Sequence, residues 1–282
     1  MTIKVDLEVF TRKESGRIKA NFSAFIKYFV PVPGTKCNET IFEVCNNLND
    51  NTGTDSYAYL SSQLGYGEML GTKQSMNNST GTITLSTFKG LYETYSATDT
   101  RRQFIALGNR NSLGGETNVP LCTKYVNIST YFENIKVLRM SEMYLSRGEA
   151  LARSAEQNND ASVLTTSLSD VNLIRKSRDT ASTTKPYLAS LATTPPTGTL
   201  KATVYLDSIM VERRKEFALE GQRLFDLNRT KTNYVKIYSA GNGSSRLIQY
   251  TSTTSSYYYR TILPIPVSQV VNNPNMVQNP GF

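Results

Sequence analysis

The sequence predicts a mainly α-helical protein with long loops and short β pieces. Three observations carry that expectation. The run Ile209–Arg229 contains no proline and one glycine, Gly221, and apolar residues Leu206, Ile209, Met210, Phe217, Leu224 and Leu227 recur around it at helical spacing. A second run, Val137–Ala155, puts Val137, Met140, Tyr144, Leu151 and Ala155 on one stripe, with Gly148 allowing close approach of a neighbour. A third segment follows the polar turn Asn158-Asn159-Asp160, whose last residue suits an N-cap, and Leu164, Leu168, Val171 and Ile174 give it a core face.

The last two helices, joined by so short a turn, make an antiparallel TPR-like hairpin. No 34-residue repeat extends it into a solenoid. The remaining segments are shorter. Thr2–Thr11 alternates Ile3, Val5, Leu7 and Val9 with charges, as a half-buried strand does; Phe22, Phe25, Ile26 and Phe29 have helical spacing, ended by Pro31-Val32-Pro33-Gly34. Asn38–Val44 reads as a short strand, and Asn46–Gly81 is a polar tract rich in Gly, Asn, Ser, Thr and Tyr that reads as surface loops. Ser86–Tyr95 is a short amphipathic helix with Phe88, Leu91 and Tyr95 on one side, running into Asp99-Thr100-Arg101-Arg102. Residues 107–134 and 179–203 are loop-like, the latter with Pro195-Pro196. After Arg229 comes a Tyr/Ser/Thr/Gly-rich stretch, and Ile262–Phe282 reads as an extended strap with Asn-Pro and Pro-Gly turns.

Composition narrows the chemistry. The 282 residues suffice for one large domain or two small ones, and 39% hydrophobic content describes a soluble chain with no window of eighteen apolar residues. The first residues show neither an apolar leader nor a lipidated cysteine, which suggests a truncated product. Histidine is absent, removing the commonest metal ligand and the commonest neutral-pH base, and no metal or cofactor is expected. Cys37, Cys45 and Cys122 have no zinc spacing; Cys37 and Cys45 either bridge in an oxidising compartment or stay reduced. The net charge of +8 is dispersed, its longest block being Arg213-Arg214-Lys215 beside Glu212 and Glu216, so it describes a charged helix face and not a nucleic-acid patch.

Motifs then add a resemblance. The segment from Glu212-Arg213-Arg214 through Glu216-Phe217-Ala218-Leu219-Glu220-Gly221-Gln222-Arg223-Leu224-Phe225-Asp226-Leu227 resembles the ERRRELAFEGHRFFDLRR signature of the SusD/RagB family, with Gln222 where that family often has His. Leu138, Arg139, Glu142, Tyr144, Arg147, Glu149 and Ala150 resemble its LRLAEMYLxRAEA helix, and Asp170–Arg175 its DLNxIR. Asn38–Val44 resembles its NEIIFEV stretch, Asp99–Arg102 its DxRR, and Ile262–Phe282 its LLPIPxxEIxxNPNLxQNPGY terminus. The resemblance implies a SusD-like helical fold: one domain over residues 1–282, lacking most N-terminal TPR helices. Within it, residues 1–134 are loop-rich with short strands and helices, and residues 135–282 hold the helical signature region and the C-terminal strap. The resemblance also implies a non-enzymatic protein that captures an oligosaccharide or similar nutrient at the outer-membrane surface. It implies a SusC-like TonB-dependent transporter as partner, and membrane association only through a lipid anchor absent from this chain. Ligand residues vary among members, so none carries over.

For the ligand, sugar rings lie on aromatic faces while hydroxyls bond to polar side chains, which makes Tyr57, Tyr59, Tyr66, Tyr257, Tyr258 and Tyr259 the candidates. Each also has a structural reading, since Tyr is a routine strand and interface residue. Charges among core positions must be paired, so Arg147, Glu149, Arg175, Arg213, Glu216, Glu220, Arg223 and Asp226 are expected to form an ion-pair network that fixes helix register. Read instead as the source of a carboxylate pair, Glu212, Glu216, Glu220 and Asp226 would serve a glycosidase; interleaved arginines depress carboxylate pKa and argue against a general acid. A helical protein-interaction scaffold without a small ligand is the other alternative.

Overall fold

The computed structural model describes residues 39–44, 46, 49, 53–56, 59, 91–108, 119–125, 134–179, 186–192, 199–230, 232, 234–239, 245–250 and 264–279. The strand and helix read at Thr2–Thr11 and Phe22–Phe29, and Cys37, Cys45 and Phe88, lie outside the described residues.

Three helices build the core. In chain order the regular elements begin with strand β1 (Thr40–Val44), the single-turn helix α1 (Leu91–Thr94) and a 3-10 turn over Thr100–Phe104. Strands β2 (Ile105–Gly108), β3 (Val119–Cys122) and β4 (Ile135–Arg139) follow, then the long helices α2 (Met140–Asn158) and α3 (Ala161–Arg178). Helices α4 (Thr203–Glu216) and α5 (Arg223–Thr230), strands β5 (Tyr234–Ser239) and β6 (Ser245–Tyr250), and helix α6 (Val267–Asn272) complete the chain. The strands form antiparallel ribbons β1–β4, β2–β3 and β5–β6.

The helix pair forms as the sequence reads it, except at the start of its first helix and at Leu151, which is half-buried and outside the core cluster. Asn159 takes the left-handed conformation at φ 54° that ends α2, and Asp160 caps α3 by accepting from the Ser162 N–H at 2.8 Å. Met140, Tyr144, Leu145, Ala152 and Ala155 of α2 pack with Leu164, Val171 and Ile174 of α3 and with Tyr205, Ile209 and Phe217. Leu168 packs against this cluster from its edge. At the centre Gly148 lets the helices touch: a Cβ there would stand 2.7 Å from Val171 Cγ2. Valine is stiff, so the neighbour cannot swing away. Gly148→Ala is expected to destabilise by about 1 kcal/mol, the overpacking cost exceeding the gain in helix propensity. Urea unfolding of Gly148→Ala, Val171→Ala and the double variant checks this: the double variant loses less than the sum of the singles.

Three expectations need correction, the first at residues 107–134, read as loop-like, where Val119–Cys122 forms strand β3 and pairs with Ile105–Gly108. Helix α2 begins at Met140, not at Val137, because residues 135–139 pair with β1, with Phe42 opposite Leu138 and Val44 opposite Ile135. The β-branched alternation Ile135-Lys136-Val137 outweighs the helical period there, and Val137 is exposed instead of on the core stripe.

The run Ile209–Arg229 is two helices, not one. Helix α4 stops at Glu216, and a turn containing Leu219 at φ 60° and Gly221 at φ 78° redirects the chain into α5. Ile209, Phe217 and Leu227 are buried, but the turn swings Leu224 to 41% exposure. A Cβ on Gly221 would meet nothing within 4 Å, so only its backbone conformation matters. Gly221→Ala should therefore cost about 1–2 kcal/mol through the left-handed strain of an L-residue, visible as a lowered urea midpoint.

The Tyr-rich stretch after Arg229 contains the β5–β6 hairpin, paired from Tyr234–Tyr250 to Ser239–Ser245. The C-terminal strap encloses helix α6 and closes on itself: Gln278 accepts from the Ile265 N–H and donates to its carbonyl, both at 2.8 Å.

Candidate functional site

The last turn of α4 is enclosed on nearly every side. Glu212, Arg213, Lys215 and Glu216 are all buried, so side chains that usually face water meet partners from other segments. Glu216 is the centre. Its Oε1 lies 2.6 Å from Arg139 NH1 and 3.1 Å from Arg178 NH2, and its Oε2 lies 3.1 Å from Arg101 NH1. Three guanidinium groups thus arrive from the end of β4, the end of α3 and the 3-10 turn.

The hub extends outward. Arg178 NH2 also donates to both oxygens of Glu39, at 2.6 and 2.7 Å. Arg101 grips Asp99 through Nε and NH2 at 2.9 and 2.7 Å, and its NH1 lies 2.7 Å from Glu212. Arg139 holds Glu220 through Nε and NH2, each at 2.8 Å, donates to Ser141 Oγ, and lies 4.7 Å from the Phe217 ring centre. Lys124 bonds Glu220 at 2.6 Å and the Ala218 carbonyl at 2.8 Å, and Tyr125 donates to the Leu219 carbonyl at 3.0 Å, fixing the turn after α4. Asp179 accepts from the hydroxyls of Ser96 and Thr98, and Thr100 donates to the Arg178 carbonyl, joining α3 to the 3-10 turn.

Electrostatics follow from this packing. Burial acts to raise the Glu216 pKa, but Arg178, Arg139 and Arg101 overcome it and hold the carboxyl well below its ordinary range. Burial likewise opposes ionisation of Glu220, and Arg139 with Lys124 reverses the effect to a lowered pKa. Burial lowers the Lys124 pKa even beside Glu220. Carboxyls so held stay ionised and fully bonded, which suits ion pairing and not proton donation.

The eight network residues divide into separate groups. Glu216 and Glu220 belong to the hub, and Arg175 reaches it through Glu212 at 3.5 Å. Arg213 pairs with Asp226 at 2.9 Å, and Asp226 with Arg229, which clamps Glu149 at 2.7 Å on both oxygens. Burial raises the Glu149 pKa, and hydrogen bonds from Arg229 and Arg153 bring it below its ordinary value. Arg147 makes a separate two-point pair with Asp170. Arg223 forms no ion pair among the described residues; burial, with Arg214 beside it, lowers its pKa to about 10.

Sequence reasoning missed Glu39, Asp99, Arg101, Lys124, Arg139, Arg178 and Glu212 as hub members. Glu39, Asp99, Arg101 and Arg139 sit within segments already singled out by motif, and that was the available signal. Of the aromatic candidates, Tyr57, Tyr66, Tyr257, Tyr258 and Tyr259 lie outside the described residues; Tyr59 is half-buried, its N–H donating to Ser56 Oγ at 3.2 Å. Among the described residues no His/Cys/Asp/Glu group could hold a metal, and no helix is long and apolar enough to cross a membrane.

The fold and hub define a class: a mainly helical scaffold in which a TPR-like helix pair and a signature helix are joined through buried charge. Residues 97–282 match the model of the SusD family, and the chain belongs to that family. The starch-binding protein SusD of Bacteroides thetaiotaomicron is 33% identical over 166 residues, covering 56% of this chain and 24% of that protein. A SusD superfamily protein from Bacteroides vulgatus superposes with a TM-score of 0.61 at 23% identity, over 98% of this chain and 54% of that one. Another, from Bacteroides fragilis, gives 0.57 at 18%, over 90% and 48%. These structures share the mainly helical fold; the present chain spans about half their length and about a quarter of the starch-binding relative.

Proposed function

We propose that this chain binds an oligosaccharide or similar nutrient at the outer-membrane surface, for import through a SusC-like TonB-dependent transporter. The observation that carries the reading is the 33% identity over 166 residues to a starch-binding protein. The geometry agrees with binding over catalysis: Glu216 and Glu220 are each saturated by cations, whereas a glycosidase acid needs a proton to give. Residues 1–282 act as one SusD-like domain. Tyr57, Tyr59, Tyr66, Tyr257, Tyr258 and Tyr259 supply the stacking faces, and attachment to the membrane comes through a lipid anchor.

Thermal melting of the purified chain with a panel of neutral and charged polysaccharides tests the proposal. A ligand present at about 100 times its Kd adds roughly 2.7 kcal/mol to the state it binds, so one glycan class should raise the melting temperature by several degrees. Tyr59→Ala should reduce that rise, measured against the variant's own unliganded melt. A cooperative melt that no glycan moves would favour the protein-interaction scaffold instead.

A further inference from the structure

The TPR-like pair carries a cleft remote from the charge hub's centre. It has a volume of about 500 Å³ and is lined by Tyr144 and Arg147 of α2 and, along α3, by Thr165, Leu168, Ser169, Asp170, Asn172, Leu173 and Lys176. On α3, Thr165, Ser169, Asn172 and Lys176 fall at i, i+4, i+7 and i+11, a single helical stripe. At 1.5 Å rise per residue the stripe is roughly 16 Å long, long enough for a short oligomer to lie along it.

Three of the stripe's four polar side chains, Thr165, Ser169 and Lys176, have no hydrogen-bond or ion-pair partner among the described residues. Ser177 on the same helix spends its hydroxyl on the Leu173 and Ile174 carbonyls. Thr165 and Ser169 do not, and Lys176 is exposed with no ion pair among the described residues. Arg147 is anchored by Nε and NH2 on Asp170 and lies 5.4 Å from the Tyr144 ring centre, leaving NH1 without a partner among the described residues. Asn172 is fixed by reciprocal bonds to the Tyr187 backbone, at 2.9 and 2.8 Å, so the rim is preorganised.

Charge decides the ligand. Asp170 neutralises Arg147, and Lys176 leaves the cleft with one uncompensated positive charge on a chain whose net charge is already +8. Unpaired hydroxyls, a preset guanidinium and a free ammonium over the apolar edges of Leu168 and Leu173 match a sugar that carries carboxylates. We propose that this cleft is a glycan subsite selective for anionic oligosaccharides, with Lys176 and Arg147 NH1 meeting a uronate carboxylate and Thr165 and Ser169 meeting ring hydroxyls. The inference rests on the glycan-binding reading above and adds the site and the charge class of the sugar.

The test is titration calorimetry of the whole chain with trigalacturonate and with maltotriose as the neutral counterpart. Wild type is expected to bind trigalacturonate the more tightly, and the preference should shrink as salt is raised. Lys176→Glu, at an exposed position, should weaken trigalacturonate binding about tenfold or more, the loss of one charge-assisted contact, while leaving maltotriose unchanged. Ser169→Trp, filling the cleft, should abolish trigalacturonate binding without lowering the melting temperature. Trigalacturonate binding that neither variant alters overturns the subsite and leaves the glycan reading intact. Maltotriose binding as tight as trigalacturonate in the wild type overturns the charge selectivity alone. Binding of neither sugar, together with a polysaccharide panel that never moves the melt, overturns both.

Discussion

Glu216→Gln is expected to destabilise the fold by about 3–5 kcal/mol, the range for breaking a buried ion pair from one side. The amide keeps the shape of the carboxylate but withdraws its charge from Arg101, Arg139 and Arg178, which are 2%, 1% and 0% exposed. Solvent cannot take over, and an NH2 group would point donors at donors. Urea unfolding gives the number, with Glu156→Gln as the comparison. Glu156 makes only a 3.8 Å pair with the half-exposed Lys201, and its loss should cost less than about 1 kcal/mol. A Glu216→Gln variant within about 1 kcal/mol of wild type would show that the hub is hydrated, contrary to the burial of its arginines.

That prediction depends on long-range partners, which marks what the sequence could and could not reveal. The α2–α3 pair was legible because its signals are local: the spacing of Leu164, Val171 and Ile174, the Asp160 cap, and the absence of a side chain at Gly148. The need for an ion-pair network was legible too, since the spacing places Arg213 and Glu220 on the apolar face of the signature run. The partners were not. Glu216 finds Arg101 at a separation of 115 residues and Arg139 at 77, and no periodicity encodes such a meeting. Glu149 was assigned to the signature-helix network and does join it, but through Arg229. The turn at Leu219–Gly221 was hidden because Ala218, Leu219 and Glu220 are good helix formers. Tertiary bonds from Lys124 and Tyr125 to the Ala218 and Leu219 carbonyls outweigh that propensity and hold Leu219 left-handed. For the aromatic site, only Tyr59 falls within the described residues, so its legibility rests on the binding experiments.

The hub also sets the pH response. Glu216, Glu220 and Glu149 each titrate below their ordinary value of 4.5 in the folded chain. The unfolded chain therefore takes up their protons first as pH falls. Their contribution to stability is complete above that ordinary value and is lost progressively as pH descends through the folded pKa of each group. No histidine is present to add a transition near neutrality. The urea midpoint should stay level from about pH 7 to about pH 5.5 and then fall steeply below about pH 4.5. In Glu216→Gln the midpoint starts lower and falls less, because the group with the deepest burial and three cationic partners has been removed from the titration. Added salt should change the wild-type acid limb little, since buried pairs are poorly screened, whereas an exposed network would show its stability eroded by salt at neutral pH as well. A midpoint that declines already between about pH 7 and 5.5 would contradict the assignment, because it would require these carboxyls to be raised by burial and not lowered by the arginines that surround them.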